Sequence, residues 1–175
     1  MADFKTQDCM AVANYAIEYA KKKGKPVSNL HLQKILYFLQ ATFLVKNGEN
    51  YPLMFGNFKK WDYGPVMKEV YDAYKENGAW GIENFSPNVN ITNGKWEVLP
   101  PQNINFNDFK EEDLSLLNST LDKLLCKNPW ELVEKTHQQT PWKKFEDEIH
   151  QHVPLEYSNE EIYKFFIENQ KELIK

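Results

Sequence analysis

The sequence predicts a mainly α-helical domain: about six helices around one buried central helix, with a single small β-hairpin. Three observations carry this expectation. Apolar residues recur at helical spacing along most of the chain, and several of these runs open on a Ser, Thr or Asn cap or a first-turn proline. One run, Leu30 to Gly48, is apolar on more than one side, the pattern of a helix enclosed by others. Strict apolar alternation around an Asn-Gly pair occurs once, at Asn93-Gly94.

In order along the chain, Thr6 is placed to cap a first helix with the stripe Cys9, Val12, Ala13, Ala16, Ile17 and Ala20, closed by lysines and Gly24. Ser28 or Asn29 caps the central helix, where Leu32, Leu36, Leu39 and Phe43 form one stripe and Ile35, Phe38 and Val45 another. Residues 49–63 have no clean period and read as a connection with short extended pieces. Pro65 then suits the first turn of a helix bearing Val66, Val70, Ala73 and Tyr74, with Gly64 allowing the bend before it. Val89 and Ile91 alternate before Asn93-Gly94, Trp96 and Val98 after it, and Pro100-Pro101 ends this hairpin. Leu114, Leu117, Leu121 and Leu124 mark a helix; Asn128-Pro129 starts the next, Thr140-Pro141 a third, and Ser158 with Glu161 forms a capping box for the last. No linker is long enough to divide the chain, so residues 1–175 are expected to form one domain.

Composition narrows the function. Aromatics reach 14%, so a core rich in Phe, Tyr and Trp is expected. The net charge is −4 and the pI about 5.6, which argues against binding a phosphate backbone. Lys21, Lys22, Lys23 and Lys25 sit at a helix C-terminus, where they complement its negative end. Cys9 and Cys126 fall on apolar stripes and read as small buried thiols in a reducing compartment. The first residues, MADFKTQDCM, lack a signal pattern and no stretch approaches a membrane span, so a cytoplasmic protein without membrane contact is expected.

Catalytic patterns are sparse. Glu134 and His137 form a Glu-x-x-His pair, but a di-iron site needs a second pair and further glutamates. His150 and His152 are spaced so that their rings leave on different faces. Neither a zinc signature nor a phosphate-cradling glycine loop occurs. The expectation is therefore no enzyme, no metal and no cofactor. Three unusual runs remain. Gln33 and Lys34 lie on the otherwise apolar central helix. Trp61, Tyr63 and Tyr71 cluster around Gly64-Pro65. Thr136, His137, Pro141 and Trp142 occupy a helix-to-helix corner. Packing explains each singly, with Gln33 and His137 satisfying buried backbone groups; together they fit the lining of one groove.

In order and spacing these runs resemble the Panacea domain family, which includes SocA-type antitoxins and phage-associated proteins. The matching pieces are Leu32-Gln33-Lys34 with Leu36-Tyr37, Trp61 with Gly64-Pro65-Val66 and Val70-Tyr71, and Thr136-His137 with Pro141-Trp142. The resemblance runs from about Val12 to Phe166, and residues 84–104 lie outside the matched pieces. It implies a helical, non-enzymatic antitoxin that neutralises a cognate protein toxin by direct binding. In the SocA-type branch it implies instead an adaptor that delivers the toxin to a AAA+ protease; a phage-encoded binder of a host factor is the remaining alternative. The motif residues Gln33, Lys34, Tyr37, Trp61, Tyr63, Gly64, Pro65, Tyr71, His137 and Trp142 are the candidate partner-binding or family positions. Leu32, Leu36 and Trp142 are expected in the scaffold, Lys34, Trp61 and His137 nearer the surface, and the hairpin and last helix are expected to give partner specificity.

Overall fold

The computed structural model describes residues 4–174. Helix α1 (Cys9–Lys22) is followed by α2 (Asn29–Asn47), the longest, in which every residue from His31 to Ala41 is buried. Around α2 pack α1, α3 (Lys68–Tyr74), α4 (Glu111–Leu125), α5 (Pro129–Gln138) and α8 (Asn159–Glu168), with the short α6 (Thr140–Lys143) and α7 (Glu146–His150) completing the corner after α5. Among the described residues, six α-helices of seven residues or more thus surround or include the central strut, as the periodicity implies, and two short ones are added. The aromatic content goes into the core: Tyr37 meets Phe38, Phe58, Tyr157 and Phe166 at ring-centroid distances of 5.3–6.0 Å. No helix among the described residues is long and apolar enough to cross a membrane.

Several helix starts follow their caps. Ser28 Oγ accepts from His31 N–H, Asn128 Oδ1 from Trp130 N–H, and Ser158 Oγ from Glu161 N–H. The expected Ser158–Glu161 box is one-sided, because the Glu161 carboxylate reaches the ammonium of the buried Lys60 at 2.9 Å. Thr6 is not the cap of α1. Asp8 is, accepting from Met10 and Ala11, while Thr6 Oγ1 donates to Pro52 O. At α6 the cap is Gln139, so Thr140 already lies inside the helix.

The largest departure concerns Gly64-Pro65, which does not open a helix. Lys59–Trp61 (β1) and Gly64–Val66 (β2) form an antiparallel pair with Lys60 opposite Pro65, and α3 begins only at Lys68. The reason lies outside the local sequence. Lys60 N–H points away from β2 and donates to Leu155 O, while Tyr157 N–H donates to Phe58 O. The position opposite Lys60 therefore asks for no N–H, which a proline can supply without loss. The second ribbon forms as Asn93-Gly94 implies: Asn88–Thr92 (β3) pairs with Lys95–Leu99 (β4), Asn93 and Gly94 both having positive φ. Cys126 is another correction. It caps α4 at its C-terminus and is exposed, whereas Cys9 is buried.

Candidate aromatic groove

The three unusual runs meet around one stretch of backbone, residues 61–67. From α2, Lys34 Nζ donates to Pro65 O at 2.9 Å, and Gln33 Oε1 accepts from Met67 N–H at 2.8 Å. From α5, His137 Nε2 lies 2.8 Å from Asp62 O. A carbonyl oxygen only accepts, so this nitrogen carries the proton. From α6, Trp142 Nε1 donates to Trp61 O at 2.9 Å, and its ring stacks on His137 at 3.9 Å. From α7, His150 Nδ1 reaches the Asp62 carboxylate at 3.0 Å. Gly64 completes the arrangement: its φ is +89°, and a Cβ there would overlap Thr136 Oγ1 and crowd Lys34 Cε.

This backbone presents aromatic side chains outward. Trp61 meets Tyr71 edge-to-face at 5.0 Å, and Tyr63 meets Trp130 at 5.3 Å. Tyr63 is 57% exposed and Trp130 54%. Together they line a groove of about 840 Å³, with Leu30, Val66, Ile149, Val153, Pro154 and Leu155 as its apolar walls. Its four lysines face four acids: Lys59 pairs with Glu156, Lys60 with Glu161, Lys68 and Lys75 share Asp72, and Asp62 also lines the groove. The groove is thus apolar and close to neutral.

Of the candidate positions, Trp61, Tyr63, Tyr71 and Gln33 line the groove, and His137 is half-buried beneath the turn. Lys34, Tyr37, Gly64, Pro65 and Trp142 are buried under it. The expected exposure of Lys34 is overturned: its relative accessibility is 0%. Its stem runs inward because Pro65 O is presented inside the fold, and burial lowers its pKa from 10.5 to about 7. Tyr37 donates to Gln139 Oε1 within the core. Trp130 belongs to the groove yet reads in sequence only as part of a helix start; its signal is a large aromatic in a first helical turn, where the apolar stripe does not need it.

Gln33, Lys34, His137 and Trp142 are already engaged with backbone, and His150 with the Asp62 carboxylate. Burial lowers the pKa of His137, and the bond to Asp62 raises that of His150. Elsewhere, among the described residues, Asp8, Cys9 and Glu69 bring ligand atoms within 4.8 Å of one another. Asp8 is occupied as the α1 cap, and Cys9 donates to Glu69 Oε2 at 3.3 Å. Burial, reinforced by Glu69, pushes that thiol up to about 12.

Residues 32–143, which contain all three runs, match the family model described as "Antitoxin SocA-like, Panacea domain". The chain belongs to this family. It is also 38% identical over 99 residues to Antitoxin SocA of Caulobacter vibrioides (strain NA1000 / CB15N), a match covering 57% of this chain and 52% of that protein. The chain therefore spans about half the length of the curated relative it matches. No solved structure matches. The Panacea region begins inside α2 and ends at α6, so it takes in the whole backbone clamp at 61–67 together with Trp130.

Proposed function

We propose that this protein is an antitoxin that neutralises a cognate protein toxin by binding it directly, with the aromatic groove as contact surface. The observation that carries this is the groove itself: Trp61 and Tyr63 are displayed on a backbone held from beneath by Lys34, Gln33, His137 and Trp142, and Tyr71 and Trp130 pack edge-to-face against them. Partly exposed aromatics in a fixed frame are strong anchors, because they cover large area and lose little freedom on binding. The polar side chains of the clamp, Gln33, Lys34, His137 and Trp142, are committed to backbone partners, which suits recognition better than catalysis. The relative named Antitoxin SocA supports the same reading.

Growth rescue tests it. The neighbouring gene is induced alone and then together with this protein; arrest in the first case and growth in the second is the expected result. Toxin that persists at a steady level in a co-purified complex supports sequestration, whereas toxin that disappears in the presence of a AAA+ protease indicates delivery for degradation. Trp61→Ala provides the site test: a folded variant with unchanged toxin affinity removes Trp61 from the interface.

A further inference from the structure

The β3–β4 ribbon carries a feature that the groove does not explain. Its register places Val89 opposite Val98 and Ile91 opposite Trp96. Directly paired residues share a face of a ribbon, so these four form one continuous apolar surface, while Asn88, Asn90, Thr92, Lys95, Glu97 and the root residue Leu99 occupy the other. That apolar face is open: Val89 is 40% exposed, Ile91 56%, Trp96 75% and Val98 77%. A two-stranded ribbon of this length is marginal in water by itself, and apolar patches of this kind mark contact surfaces.

The ribbon is nevertheless not a loose loop, because both of its roots are fastened to one buried polar pair. Tyr74 Oη donates to Asn14 Oδ1 and accepts from Ser86 N–H at 3.2 Å, and Asn14 Nδ2 donates to Gln102 O at 2.9 Å. Tyr74 lies one turn of α3 beyond Tyr71, which lines the groove.

Area and charge select the occupant. The four exposed side chains present on the order of 450 Å². Two copies pressed ribbon to ribbon bury about 900 Å², short of the roughly 1,200 Å² of a stable interface. The apolar face bears no charge, and Lys95 and Glu97 offset each other behind it, so it has no basic complement for a phosphate-bearing surface. A larger protein, able to cover the ribbon together with surface beyond it, meets both demands. We infer that the β3–β4 ribbon is a second contact arm for the toxin, seating Val89, Ile91, Trp96 and Val98 against an uncharged apolar surface of that protein. This rests on the antitoxin reading above.

The test combines calorimetric binding to the product of the neighbouring gene, growth rescue, and amide exchange. The double variant Ile91→Ser/Trp96→Ser raises Kd at least about 30-fold, equivalent to about 2 kcal/mol, and weakens rescue. Its melting temperature stays near that of the wild type, and Asn90→Ala on the polar face binds as the wild type does. In the unaltered protein, toxin slows amide exchange across residues 88–99. Wild-type binding with no loss in the double variant and no protection of the ribbon overturns the arm while leaving the antitoxin reading intact. A wild type that neither binds nor rescues overturns both, and a self-association abolished by the double variant assigns the face to a second copy instead.

Discussion

Replacing Lys34 with Met changes the stability of this protein in a pH-dependent way that follows from where the ammonium sits. In the unfolded chain Lys34 holds its proton to about pH 10, whereas burial brings its folded pKa down from 10.5 to about 7. Between those values the unfolded state binds more protons, so wild-type stability rises with pH; below about 7 both states are protonated and the penalty is fully present and constant. The difference corresponds to an unfavourable term on the order of 5 kcal/mol at and below pH 7. Met fills similar volume without this term, at the cost of leaving the buried Pro65 O without its donor, about 1–3 kcal/mol. The Lys34→Met variant is therefore expected to be the more stable protein at pH 7. From pH 7 to 9 its advantage shrinks by about 2 kcal/mol as the wild type is relieved of its penalty. His137, whose pKa burial and the Lys34 charge both lower from 6.5, is neutral over this range and does not disturb the comparison. Denaturant or thermal unfolding of both proteins at half-unit pH steps reads this directly, as a convergence of about 4–8 °C in melting temperature. Profiles that run parallel from pH 7 to 9 refute the argument, since they mean Lys34 does not lose its proton on folding.

Two further outcomes are expected. Gly64→Ala combines a positive φ with overlap on Thr136 Oγ1, and is expected to destabilise by about 2–3 kcal/mol in chemical unfolding; adding Thr136→Ala recovers part of that loss, a non-additivity that a double-mutant cycle measures. In a thiol titration of the native protein, the exposed Cys126 reacts promptly, while Cys9, buried and held well above its usual pKa, reacts only on unfolding.

How far the residues announce this architecture depends on whether their reasons are local. Ser28, Asn128 and Asn93-Gly94 act within a few residues, through a cap or a turn, and each is visible in sequence. The all-round apolar character of α2 likewise reveals its central place. Pro65 misleads because its setting is made by a strand pair and by Leu155, distant in sequence, which takes the N–H of Lys60. Lys34 misleads because a lysine in a helix ordinarily reaches water, and only the position of Pro65 O inside the fold turns it inward. Cys126 misleads because it follows the apolar Leu124-Leu125 directly, at the point where the helix stops. For the groove, motif order indicates which residues gather, but the division between buried support and exposed display emerges only from the packed fold.

The central helix holds its neighbours largely by their main-chain atoms. His31 bonds Leu124 O, Gln33 the amide of Met67, Lys34 the carbonyl of Pro65, and Gln40 both the amide and the carbonyl of Met54. Such bonds are indifferent to the side chains those segments carry. The outward residues at 55, 63, 68 and along the ribbon can therefore be exchanged without loosening the frame, much as type is reset in a fixed forme. A skeleton of this kind allows recognition to diverge quickly between relatives while the positions on α2, together with Gly64 and Trp142, stay under tight physical constraint.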